Sequence, residues 1–259
     1  MINVSLSLDS FEYFLMIMVR ITGFLFVAPF WGQQGIPGRA KIGLGFFFSL
    51  ILYHVLPTPD LEYATVTGYA VIVLKEGITG LLIGFVANIC SSIILFAGTI
   101  IDQNLGLSMA TEYDPTMQTQ VTVSGNLYYY LVMLLLLASH LDTYLIKAMV
   151  DTYTLIPIGG QIFDTESMLN SMVQFMTDSF VLGFRIALPV FACIMILNCV
   201  LGIMAKIAPQ LNMFAVGIQL KLILGIAVML VTVQLLPYVS DFIFVEIKKM
   251  TVSIVQGMY

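Results

Sequence analysis

From Tyr69 to Ile101 the chain carries charge at only two positions, the adjacent Lys75 and Glu76. About 20 apolar residues already span the hydrocarbon of a bilayer, so this run alone points to membrane. Five further runs share its character: Phe11–Trp31, Ala40–Leu56, Leu127–Met149, Val181–Met204 and Met213–Leu236. Of the 259 residues, 59% are hydrophobic and only 10% are charged. A soluble domain carries about 25% charge, so this chain lacks the polar cover of a water-soluble globule. Its high apolarity excludes disorder. A net charge of −5 and the lack of any basic cluster argue against nucleic acid as a partner. The expectation is an all-α, polytopic membrane-type protein with about six apolar segments.

The segments are uneven. The second run is short for a span. The third is too long, and reads either as one long tilted helix or as a re-entrant element. The first charges are Asp9 and Glu12, and Arg20 interrupts the first run, so no cleavable signal is expected and the first segment is retained. Cys90, Cys193 and Cys199 all sit in apolar runs, read as packing residues rather than a disulfide framework. At the end of the chain, residues 237–259 place Val239, Phe242, Ile243, Ile247, Met250 and Ile254 near one helical face. That pattern is an amphipathic tail, lying on membrane or on a partner. Lysine and arginine in the loops nearly balance across the membrane, and the acidic start favours an N-terminus outside.

Arg20, Lys75, Glu76, Arg185 and Lys221 lie in or at the edges of apolar segments. A charge at mid-bilayer costs at least about 2.5–3.5 kcal/mol and must pair, face water or snorkel. Pairing across helices to fix register is favoured over an ion path, because no Asp/Glu/His chain recurs at helical spacing. Lys75 and Glu76, being adjacent, point to different faces and need separate partners. His54 and His140 have no second ligand at metal spacing, so no metal is expected. No HExxH, GxSxG, P-loop or other cofactor motif occurs, so neither an enzyme nor a bound cofactor is expected.

Two stretches have a definite physical meaning. Gly77, Gly84, Ser91 and Gly98 recur every seven residues, with Gly80 and Ala87 between them on the same side. In lipid, small residues let helix backbones approach closely, so this face docks on another helix of this chain or of another subunit. The stretch 106–125 is polar, lacks any Lys or Arg, and is longer than ordinary connections. At membrane depth such a loop must line a wet cavity or be buried in protein. Met109, Tyr113 and Met117 recur every four residues within it, an apolar set suited to closing a pore, beside Thr119 and Val121. The other reading is a solvated surface loop.

The stretch Ala205-Lys206-Ile207-Ala208-Pro209-Gln210-Leu211-Asn212-Met213-Phe214, followed by Gly217, Lys221 and Gly225, resembles the FliR family. That family is the membrane subunit of the flagellar type III secretion export gate. Arg20, Gly23, Pro29, Pro37 and Arg39, then Glu76-Gly77, Gly80 and Gly84, then Asp102 and Gly106, resemble its other blocks. The resemblance covers essentially the whole chain. The family often has arginine where Lys206 stands, and lysine cannot pair bidentately.

The resemblance implies a non-enzymatic subunit assembled with FliP- and FliQ-type subunits, and with FlhA- and FlhB-type subunits, in the bacterial inner membrane at the flagellar basal body. It implies packed helical hairpins, with a FliP-like part over 1–180 and a FliQ-like hairpin over 181–236. Unfolded exported proteins are the implied cargo, and lipid the surroundings. The loop would plug the closed pore through Met109, Tyr113, Met117, Thr119 and Val121. Gly77, Gly80, Gly84, Ala87, Ser91 and Gly98 would pack subunits. Arg20, Arg39, Glu76, Arg185, Lys206, Pro209, Gln210, Asn212 and Lys221 would form inter-subunit charges and a cytoplasmic loop. The competing readings are a virulence-type injectisome subunit, which shares the motifs, and a proton-coupled secondary transporter, which needs a charged midplane site.

Overall fold

The computed structural model of the protein describes residues 8–33, 35–56, 65–109, 112–114, 119–208, 210 and 213–258. Helices α1 (Leu8–Val27), α2 (Gly38–Val55) and α3 (Val66–Leu105) come first. A short hairpin of β1 (Glu112–Asp114) and β2 (Thr119–Val121) follows. Then come α4 (Val123–Ala138), α5 (Leu141–Leu155), α6 (Thr165–Ile207), α7 (Met213–Thr232) and α8 (Leu236–Gln256). Apart from that hairpin, the regular structure of the described residues is helical.

Six apolar runs do not become six spans. Among the described residues, four helical stretches are long and apolar enough to cross a membrane: Ser10–Val27, Val66–Leu105, Thr165–Ile207 and Ala215–Gln256. The second run falls out because α2 takes in Arg39, Lys41, Ser49 and His54. The fourth run breaks in the middle. His140, between α4 and α5, adopts the left-handed conformation at φ 59° and ends the continuous helix. Counted as one broken span, that pair makes five.

The third run is one continuous helix of 40 residues, not a re-entrant element. At 1.5 Å per residue it is about 60 Å long, twice a bilayer's hydrocarbon thickness of about 30 Å. Helix α6, at 43 residues, starts well before its apolar run and contains Pro189.

The chain divides into two compact units. Unit one comprises residues 1–89, 140–173 and 247–259. Its core is the stripe Tyr13, Met16, Ile17, Arg20, Ile21, Phe24 and Leu25 on α1, continued by Ala28 just past the helix end, all buried. Steps of three and four residues put this set on one helix face. The face lies against the first half of α3, and the glycines there explain how. A Cβ added at Gly84 would sit 2.7 Å from the Phe24 carbonyl oxygen. One added at Gly80 would overlap the Arg20 carbonyl. The two backbones are therefore in contact, which only residues without a side chain permit. On the other side of α1, Gly45 of α2 meets the Thr22 side chain.

The end of α8 also packs within unit one. Ile247, Met250 and Ile254 are buried, Ser253 bonds Ser171, and the Ile162 and Asp164 amides donate to the Met258 and Gly257 carbonyls. That apolar tail face is thus covered by the chain itself, from residue 247 onward.

Unit two comprises residues 90–139 and 174–246. Gly98 of α3 faces Gly125 of α4, where a Cβ would overlap backbone. Phe96 seats on Gly183 of α6 and packs edge-on against Phe180 and Phe184, with ring centroids 5.2 and 5.7 Å apart. Leu105 fills the space over Gly225 of α7.

The close approach of α1 and α3 leads to a contrast between two glycines. Gly80→Val should destabilise the protein by about 1–3 kcal/mol or more through overpacking against immovable backbone. Gly43→Ala, where a Cβ meets nothing within 4 Å, should be neutral or stabilising. Thermal unfolding of the two purified variants in detergent checks this.

Candidate functional site

The polar stretch after α3 is organised from its base in unit two. Asp102 lies on the last turn of α3 and is fully buried. Its carboxylate accepts the backbone amide of Ser124 at 2.9 Å and also the Ser124 hydroxyl. Ser124 is the second residue of α4, so Asp102 caps that helix from another element. A carboxylate there satisfies an orphan N–H and meets the positive end of the helix dipole. The Ser124 hydroxyl also approaches Met229 Sδ at 3.4 Å, and Tyr128 bonds Thr232 at 2.7 Å, which ties α4 to α7. The Gly98–Gly125 approach lets Asp102 reach.

Above this base the chain leaves α3 through Gly106, at φ 80°, and turns at Leu107–Met109. It then forms the antiparallel hairpin, with Glu112 opposite Val121, Tyr113 opposite Gln120 and Asp114 opposite Thr119. Of the expected plug residues, Met109 ends the turn, Tyr113 lies in β1, and Thr119 and Val121 lie in β2. Met117 lies outside the described residues. Met109 and Tyr113 thus fall in a turn and a strand.

The second constellation is a buried charge node in unit one. Arg20 and Glu76 are both fully buried and joined by Arg20 Nε to Glu76 Oε2 at 2.5 Å. Glu76 Oε1 also accepts the Gly159 amide at 3.0 Å and Gln161 Nε2 at 2.6 Å. Arg20 Nη1 donates to the Ile156 carbonyl at 3.2 Å, and the guanidinium lies 4.3 Å from the centroid of Tyr153. The Tyr153 hydroxyl donates to the Ile17 carbonyl. Lys75, on another face of α3, reaches the Gln161 carbonyl at 3.2 Å. Besides the Arg20 pairing of Glu76, one segment, 156–161, thus supplies contacts to both Lys75 and Glu76. Gly159, at φ 81°, makes the turn that brings it there.

Arg20 and Glu76 were expected to act between subunits, and here they pair within one chain. Gly77, Gly80 and Gly84 likewise meet α1, and Gly98 meets α4. Ala87 and Ser91 are buried. The remaining expected charges do not join the node. Arg39, Arg185, Lys206 and Gln210 are exposed, and Lys221 is half-buried. Pro209 and Asn212 lie outside the described residues. Tyr153, Gln161 and Ser124 were not singled out from sequence. A Pro157-Ile158-Gly159-Gly160 turn after an apolar run was the available signal for Gln161. Lys41 is also buried, donating to the Gly32 carbonyl at 2.9 Å. Burial lowers its pKa from the ordinary lysine value.

Among the described residues no group of three or more His, Cys, Asp or Glu converges as a metal site would. The arrangement suits a helical scaffold carrying a clasped hairpin. The family of bacterial export proteins, family 1, matches residues 11–247. The chain is similar to the flagellar biosynthetic protein FliR of Bacillus subtilis, at 27% identity over 92% of each chain. It is similar to the FliR of Escherichia coli at 28% identity, over 93% of this chain and 92% of that one. The FliR of Aquifex aeolicus is 28% identical over 84% and 83%.

Two substitutions separate the roles of these groups. Glu76→Ala leaves the buried Arg20 unpaired and should cost about 3–5 kcal/mol, with much less lost when Arg20→Met and Glu76→Leu are combined. Chemical unfolding in detergent measures both. Asp102→Ala should cost about 0.5–2 kcal/mol, as for a lost helix cap, and should speed hydrogen exchange at the Ser124 amide.

Proposed function

The chain belongs to family 1 of the bacterial export proteins, and on that premise we propose that it is the FliR-type membrane subunit of a flagellar type III export gate. Its relatives carry the name flagellar biosynthetic protein FliR across nearly their whole length, which supports this reading. It resides in the bacterial inner membrane with FliP- and FliQ-type subunits, and FlhA- and FlhB-type subunits adjoin them. It catalyses no reaction. Residues 1–180 take the place of a FliP-like part, and 181–236 that of a FliQ-like hairpin.

Burial supports an assembled state. Only 17% of the apolar window in α6 and 22% of that from α7 to α8 is buried, against 56% in α3. So much exposed apolar surface needs cover from lipid or from partner subunits. Lys206 and Lys221 then lie where a partner's polar groups meet them.

The 106–125 stretch gates the pore. A two-stranded hairpin is marginal by itself in water, so a translocating chain displaces it at small cost. The Asp102–Ser124 clasp holds its base, so displacement is reversible. Flexible methionine and short polar side chains suit a plug that yields to many sequences. The clasped hairpin is the observation that carries this reading.

Expressed with its gate partners, the chain should co-purify as a stable complex with two other small membrane proteins, and recovery of the chain alone would contradict the assignment. Deleting residues 106–123 should leave that complex assembled and raise its ion conductance in planar bilayers. Wild-type conductance in the assembled deletion would remove the gate role.

A further inference from the structure

Unit two contains a cleft of about 280 Å³ between α6, α4 and the junction of α7 with α8. Leu182, Ile186, Pro189, Leu236 and Phe242 make it apolar, and Arg185 is its one charged residue. The two hydroxyls on its inner wall, of Tyr128 and Thr232, are already satisfied. Tyr128 bonds Thr232, and Thr232 donates to the Met229 carbonyl at 2.9 Å. Arg185 makes no hydrogen bond or ion pair among the described residues. An unmatched guanidinium against an apolar cleft selects a ligand with an anionic head and a hydrocarbon body.

The depth of the cleft agrees with that ligand. Arg185 lies one turn inside the apolar run of α6, just past the polar stretch from Asp164 to Ser179. On the other wall, α7 ends in the tight turn Val233–Leu235, and Tyr238, 81% exposed, follows it. Tyrosine and arginine at the end of an apolar segment mark the headgroup level of a bilayer. A phosphate there meets Arg185 while an acyl chain runs down the cleft. We propose that this cleft is a binding site for an anionic glycerophospholipid, with the phosphodiester on Arg185 and one acyl chain against Leu182, Ile186 and Phe242. The inference does not depend on the export reading.

Native mass spectrometry of the full-length chain tests it, in its complex and carried from nanodiscs of equal phosphatidylglycerol and phosphatidylcholine. The wild type should retain phosphatidylglycerol preferentially. Arg185→Ala should lower that retention about fivefold, one interfacial cation's share of anionic-lipid binding, and Arg185→Lys should keep most of it. Ile186→Trp, which fills the cleft and keeps the charge, should lower retention of both lipids, so the two halves of the site are read separately. A photo-cross-linker at Leu182 reports in parallel, without depending on tolerance of the arginine variants, and should label lipid. Equal retention of the two lipids by the wild type would overturn the proposal. So would retention unchanged in both Arg185→Ala and Ile186→Trp, or a Leu182 cross-link to another protein instead of lipid.

Discussion

The direct contact of the α1 and α3 backbones underlies unit one. Gly80 and Gly84 bring the two helices so close that Arg20, on the buried stripe of α1, meets Glu76 one turn before Gly80. Removing either charge leaves the other uncompensated in a dry core. The pair therefore sets register: a slip of one residue would separate the charges and drive a Cβ into backbone. Segment 156–161 completes the node, since Glu76 also takes the Gly159 amide and the Gln161 side chain.

Unit two uses another device for another purpose. There the buried carboxylate, Asp102, is matched by a helix N-terminus instead of a cation. A charge-assisted bond to a backbone amide fixes where α4 starts, and so where the hairpin between α3 and α4 begins and ends. Clasping a weak hairpin at its base keeps its position fixed while leaving its stability low. A gate that opens for passing chains and closes behind them has those requirements. Elsewhere on this unit, Val181, Phe184, Leu188, Ile196 and Leu230 stay exposed. The scarcity of charge in the sequence thus matches a surface that is apolar over much of this unit.

Much of this was legible in the residues. The glycine recurrence in α3 carries a helical period and meets backbone in the fold, and the expected pairing of charges across helices is seen at Arg20 and Glu76. The resemblance to export-gate proteins agrees with the family found over residues 11–247. The number of spans was less legible, because hydropathy alone does not register backbone breaks. His140 interrupts an apolar run with one left-handed residue, and α2 is too polar at both ends. The hairpin was invisible for a related reason. Its strands are three residues each, too short for a period of two to stand out, while Met109, Tyr113 and Met117 imitate a helical spacing. The partners of Glu76 lie more than 80 positions away at Gly159 and Gln161, a separation that local patterning does not reach.

The central claim is that the stretch clasped by Asp102 and Ser124 borders the path of exported chains. Placing a photo-cross-linking residue at Tyr113 in the assembled complex, then stalling an unfolded export substrate in transit, tests it most directly. The account expects a covalent adduct between position 113 and the substrate, with none from a control at Leu230, which is exposed on α7. Adducts from Tyr113 with lipid alone, while the substrate remains stalled in the complex, would contradict it.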